Sequence, residues 1–157
     1  MLEKYKERFD IKHIILTDNS LKKCGDNYIK LSMMMILLTG NTWYGSYNFR
    51  PYSLKTNKLK LDEFLNTKYE NNIEIMNTIT ISNANILKYI KLTNKKSIIR
   101  DVEKLLEKNS NYLLKDFIKS FIHNYDKTCK YFNIFYEQLF DDIGLYNFYK
   151  NIFGLHL

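Results

Sequence analysis

The sequence predicts a mainly α, α+β fold in which a small N-terminal strand-helix portion packs on a C-terminal helical bundle. Three observations carry that expectation. Apolar residues recur at i, i+3 or i+4 from Leu59 onward, the signature of amphipathic helices. A β-branched, apolar run over residues 11–17 ends in the turn formers Asp18, Asn19 and Ser20, which reads as a short strand and its loop. The composition, 45% hydrophobic, 15% aromatic and 26% charged over 157 residues, is globular and excludes a disordered, collagen-like or mucin-like chain. A chain of this length buries about 68–70% of its unfolded surface and needs no disulfide or metal to hold a core. We expect one domain over 1–157, with 1–56 a small α/β portion and 57–157 the helical portion.

In chain order, Gly25-Asp26-Asn27 is a second turn, Tyr28 to Leu31 a small strand, and Ser32 the N-cap of an apolar helix. That helix runs from Met33 to about Thr39, with room to continue toward Tyr47, and Pro51 closes the region. Beyond it, Leu61, Phe64 and Leu65 form one helical face. Ile86, Leu87 and Ile90 form another after a cap at Ser82 or Asn83, and Ile98, Val102, Leu105 and Leu106 follow a cap at Ser97. Leu113, Leu114, Phe117, Ile118, Phe121 and Ile122 make a longer stripe, as do Phe132, Phe135, Tyr136, Leu139, Phe140 and Ile143. The stretch Ile73 to Ile81 alternates like a strand within helical surroundings, and we read it as helix.

The chain has 21 Lys, 18 Asn and 18 Ile but one Ala and one Val, the bias of AT-rich coding, so a single Lys or Asn carries little signal. The opening MLEKYKERFD has no apolar stretch, which predicts neither a secretory signal nor a membrane anchor. Met33 to Leu38 is six residues against the roughly 20 that span a bilayer. Cys24 and Cys129 lie far apart with no CxxC partner, which predicts reduced thiols in an intracellular compartment.

Net charge is +7, unevenly placed: residues 1–60 and 88–130 each carry +6, while 61–87 and 131–157 carry −3 and −2. The densest basic run holds Lys88, Tyr89, Lys91, Lys95, Lys96 and Arg100. It is either a solvated helix face or a surface that tracks phosphates, with Tyr89 stacking on a base. With only Arg8, Arg50 and Arg100 to form guanidinium forks, nucleic-acid recognition would follow charge or shape, not sequence. The aromatics of the last 27 residues fall at helical spacing and are read as core. Glu137, Asp141 and Asp142 lack a further ligand at metal spacing and read as helix-end charges beside a turn; no metal and no cofactor are expected. His13, Asp18 and Ser20 include triad residue types but sit along one strand and turn. His123 and Cys129, six residues apart, would point about 240° away from each other on a helix. His156 reads as an incidental tail residue.

The segment from Ile14 to Ser20 and then from Leu31 through Trp43, Tyr44, Tyr47 and Phe49 to Pro51 resembles the C-terminal half of a GNAT-type acetyltransferase. Together with Cys24 and the run Asp141 to Tyr146, the chain also resembles uncharacterised proteins of mimivirus-like giant DNA viruses. The first resemblance implies that Tyr44 lies near a coenzyme A sulfur as proton donor to the thiolate. The pattern departs from that family where a Gly-rich loop cradles pyrophosphate, since Gly25 is the only glycine before Ser32. Packing of Trp43, Tyr44, Tyr47 and Phe49 against strand and helices is the alternative role of these aromatics.

The resulting expectation is a non-catalytic interaction protein of a giant virus, in the virion or the host cytoplasm, that binds an acidic protein partner through basic helix faces. Sequence-independent RNA or DNA binding and a degenerate acyl-CoA binder are the alternatives. No membrane contact is expected, and oligomeric state is left open.

Overall fold

The computed structural model of the chain describes residues 12–55, 58–126 and 129–156. Arg8, Ile11, Thr56 and the opening MLEKYKERFD, on which expectations above touch, lie outside these ranges. The elements are β1 (His13–Thr17), β2 (Leu21–Cys24), β3 (Asn27–Lys30), α1 (Leu31–Thr39), β4 (Arg50–Lys55), β5 (Lys58–Leu61) and α2 (Glu63–Thr78). They continue with α3 (Ile86–Ile90), α4 (Lys96–Lys108), α5 (Leu114–Tyr125), α6 (Phe132–Asp142) and β6 (Ile152–His156). The mainly α, α+β class is the one the periodicity predicts. Among the described residues, no helix is long and apolar enough to cross a membrane.

β1, β6, β4 and β5 form an antiparallel sheet in that order, and β2 and β3 form a separate hairpin. β6 therefore joins β1 to β4, with His13 opposite His156 and Pro51 opposite Phe153. His156 is thus a sheet residue, not an incidental one. Pro51 does not end its region either. It lies in β4, and its carbonyl accepts from the Asp62 N–H at 3.2 Å and the Asn66 side chain at 2.9 Å.

Several caps and boundaries differ from expectation for local reasons. The chain enters α1 directly from β3, so the cap position falls on Lys30, while Ser32 is a buried first-turn residue whose hydroxyl has no partner among the described residues. α1 stops at Gly40 (φ 80°), a left-handed conformation that costs glycine little, and does not run on toward Tyr47. Leu61 is not on a helical face: Lys58-Leu-Lys-Leu61 alternates with period two and forms β5, after which Asp62 caps α2 by accepting from the Leu65 N–H at 3.0 Å. Residues 73–78 complete α2, but Ile79 is extended, Thr80 bridges to Leu113 and Ile81 begins a turn. Left-handed Asn85 precedes α3 in place of Ser82 or Asn83, and Lys95 precedes α4 in place of Ser97. The two long aromatic stripes form α5 and α6 as read.

α1 is apolar on every side, which predicts burial. It packs on α2, α5, α6 and β3. Around it lie Phe117, Phe121, Phe132, Phe135, Tyr136 and Phe140, all at most 4% exposed. A run of ring contacts, Tyr69 to Phe148 to Phe153 to Tyr44 to Phe49, carries the core from α2 to the sheet, with centroids 5.8–6.1 Å apart. Most of the late aromatics are core, as their spacing predicts.

Two further ties lie beyond periodicity. The buried Asn72 side chain donates to the Tyr146 carbonyl and accepts from the Tyr146 N–H, both at 2.8 Å, pairing with that loop as a neighbouring strand would. Cys24 and Cys129 form a disulfide with Cα atoms 5.6 Å apart, which corrects the reading of free, reduced thiols. The two cysteines are 105 positions apart, and the fold brings the β2–β3 hairpin to the α5–α6 connection, a convergence sequence distance does not reveal. The inference of a reducing compartment loses its basis with it.

Replacing both cysteines with serine is expected to cost about 2–4 kcal/mol in urea unfolding, because the bond constrains the unfolded chain. Asn72→Ala leaves the Tyr146 N–H and C=O without their partner and is expected to cost about 1–3 kcal/mol in the same measurement.

Candidate binding surfaces

In α3, Ile86, Tyr89 and Ile90 fall at i, i+3 and i+4 and turn inward, as do Ile98 and Val102 in α4. The intervening cations are thereby pushed outward. Lys88 donates to the Asp142 carboxylate at 2.8 Å, and the Tyr89 hydroxyl donates to the same oxygen at 2.7 Å. The Lys88 ammonium also stands 5.0 Å from the centre of the Tyr89 ring. These hydrogen bonds, first from Lys88 and then from Tyr89, hold the Asp142 carboxyl below its ordinary range. Burial and then Asp142 push the Tyr89 hydroxyl up. Lys88 and Tyr89 thus fasten α3 to the end of α6.

With its ring only 2% exposed, Tyr89 has no face to offer a base. Lys91, Lys95, Lys96 and Arg100 differ: all four are exposed, and among the described residues none is in an ion pair. They gather from the end of α3 to the second turn of α4, whose first turn holds no acidic residue. Two lysines therefore sit at the positive end of the α4 dipole, where an anion is favoured.

The acidic cluster is largely committed to structure. Glu137 pairs with Lys30 at 3.1 Å and accepts from the Tyr136 hydroxyl at 3.0 Å, and Asp142 is held by α3. The Tyr136 hydroxyl is pushed up to about 12 by burial, with Glu137 adding to the effect and the Lys30 N–H opposing it. Glu137, Asp141 and Asp142 line an open groove of about 680 Å³ with Asn27, Tyr28 and Ile134.

The other candidates do not converge. Half-buried Tyr44 packs its ring 6.1 Å from Phe49 and 5.9 Å from Phe153, and lines a small recess of about 190 Å³ with Leu31, Met34, Met35 and Trp43. His13 stacks edge-on against His156, ring centroids 4.7 Å apart, at the opposite end of β1 from buried Asp18. The His13, Asp18 and Ser20 side chains therefore assemble no triad. His123 is exposed on α5, while Cys129 is in the disulfide.

Sequence reasoning missed two buried carboxyls. Asp18 follows β1, where its backbone bonds to Lys150 and Asn151 while side-chain Oδ2 has no partner among the described residues. Asp126 accepts from the Phe132 N–H and so caps the start of α6 from six residues away, too far for the usual capping signal to mark it. Burial pushes both carboxyls above the ordinary value of 3.8. The Ser20 N–H offsets part of this for Asp18. The N–H groups of Phe132, Tyr131 and Lys130 and the charge of Lys22 do so for Asp126.

Fold and surfaces together define a mainly α protein with a four-stranded sheet at one side and a free cationic helix junction at another. Comparisons with protein-family models, curated proteins and solved structures found no match to this chain.

A carboxyl whose folded value is raised binds its proton more tightly in the folded state, so its contribution to stability falls as pH rises above 3.8 and through the raised value. Asp18→Asn, which keeps an acceptor for Ser20, is expected to gain stability relative to wild type at neutral pH and to lose that gain as pH falls toward 3.8. Urea midpoints measured across acid and neutral pH check the sign.

Proposed function

We propose that the protein is a non-catalytic binding module that holds an acidic partner protein through Lys91, Lys95, Lys96 and Arg100. The observation that carries this reading is the exposure of four cations that have no ion-pair partner among the described residues at one helix junction, while nearby Lys88 is spent on Asp142. Each contact made by such a group contributes only about 0.2–1 kcal/mol, so affinity comes from the set and weakens with salt. Their shared field raises the rate of encounter with an acidic surface. A component of a virion or infection factory is the partner that the resemblance to giant-virus proteins suggests. The proposal gives Tyr44 no chemical role and calls on neither metal nor cofactor.

A fluorescently labelled polyglutamate peptide tests it. Replacing Lys91, Lys95, Lys96 and Arg100 together with Gln is expected to weaken low-salt binding about tenfold or more, the sum of several exposed contacts. Lys88→Gln is expected to change binding little. Equal affinities for wild type and the fourfold variant would remove the reading.

A further inference from the structure

The tip of the β2–β3 hairpin is anchored through its cysteine. From Leu21 to Tyr28 every residue is exposed except Cys24. The base of the hairpin is held independently: Ile29 is fully buried, the Lys30 N–H donates to the Tyr136 hydroxyl at 3.3 Å, and the Lys30 ammonium pairs with Glu137. Opening the Cys24–Cys129 bond therefore releases the tip and spares the base.

The two sulfurs are not equally approachable. Beside the tip lies a recess of about 290 Å³ lined by Cys24, Gly25, Asn27, Lys130 and Asn133, and Cys129 is not among its described lining residues. The space around Gly25 is open, since a Cβ there would meet nothing within 4 Å. Asn27 and Asn133 also line the larger groove along α6, so the recess adjoins a wide approach. A thiolate attacks a disulfide in line with the S–S bond, and entry from this side leads to Cys24 Sγ with Cys129 as the leaving group. Cys129 stands at φ 51°, a region that residues other than glycine populate sparsely, so freeing it lets that backbone relax.

Charge selects the thiol. Exposed Lys130 is the only charged residue among those described as lining the recess. Its ammonium stands 5.5 Å from the centre of the Tyr131 ring and, among the described residues, is in no ion pair. The carboxylate of the same turn, Asp26, does not line the recess.

We propose that the Cys24–Cys129 disulfide is an exchangeable clasp, opened by a small anionic thiol that enters this recess and attacks Cys24. The thiolate bonds to Cys24 Sγ, the S–S bond breaks, and its electron pair leaves on Cys129 Sγ, which takes a proton from water. A second thiolate attacks the small-molecule sulfur of the mixed disulfide and releases Cys24, which is protonated in turn. Two small thiols are thus oxidised to one disulfide while the protein bond is reduced to two thiols. Asn27 and Tyr28 form one wall of the groove of about 680 Å³ and α6 forms the other, so the released tip widens that groove. The clasp shares no residue with the α3–α4 surface and is tested apart from it.

The test treats the intact oxidised protein with thioglycolate, an anion, or cysteamine, a cation. Each rate is divided by that thiol's rate on a small linear disulfide, and products are trapped by alkylation and mapped by peptide mass spectrometry. The rate is expected to rise in proportion to thiol concentration, and the first product to carry thioglycolate on Cys24 and the alkyl group on Cys129. Thioglycolate is expected to be favoured about threefold, as one exposed charge contact allows, and Lys130→Gln to remove that preference without moving the urea midpoint. After reduction, amide hydrogen exchange over Leu21 to Tyr28 is expected to quicken about tenfold or more while α1 and α5 stay protected.

A first adduct on Cys129 overturns the proposal, as does a rate independent of thiol concentration, which would mean that the bond is reached only by unfolding. Equal normalised rates for the two thiols, unchanged exchange over the hairpin tip, or protection lost throughout the chain on reduction would each overturn it as well.

Discussion

The architecture depends on the antiparallel insertion of β6 between β1 and β4. A strand with hydrogen-bonded neighbours on both sides satisfies its own backbone and theirs, and here both neighbours lie about 100 residues or more away in sequence. Its inward Phe153 is fully buried and touches both Tyr44 and Phe148, so the ladder and the aromatic run are one structure. Its outward Gly154 sets how low Tyr52 can lie. One short segment thus joins β1 to β4, anchors the sheet to the helices and sets how low Tyr52 lies.

How legible this was depended on the range of the signal. α5 and α6 repeat bulky apolar residues over three turns, and such stripes are readable because each residue is placed by its own neighbours. β2, β5 and β6 are four or five residues long, and what makes them strands is a distant partner. In Lys58-Leu-Lys-Leu61 the alternation was present, but two lysines mean little in a chain with 21. The Asn cap failed for a related reason, since 18 Asn in one chain mark no boundary alone. The Cys24–Cys129 bond and the Asn72–Tyr146 pairing have no local trace.

Of the candidate site residues, Tyr89 is the one whose fate could have been read. It stands three residues after Ile86 and one before Ile90, on the same helical face as both, and the basic residues around it drew attention from that spacing. The surface cations divide along the same lines. Lys30 and Lys88 each found a carboxylate on α6, while those at the α3–α4 junction project from elements whose first turn holds no acid. Charge counted along the sequence shows neither group apart from the other, because pairing depends on which helix ends meet.

The disulfide encloses everything from Gly25 to Thr128, while β1 and β6 remain on the two tails that lie outside the ring. A protease that cuts once within the ring, for example at the exposed turn around Ser110, severs the backbone without releasing a fragment, since the two pieces stay covalently joined. The tails meanwhile hold each other through the β1–β6 ladder. Scission and disassembly are thereby uncoupled, and a nicked molecule parts only when a thiol opens the ring as well.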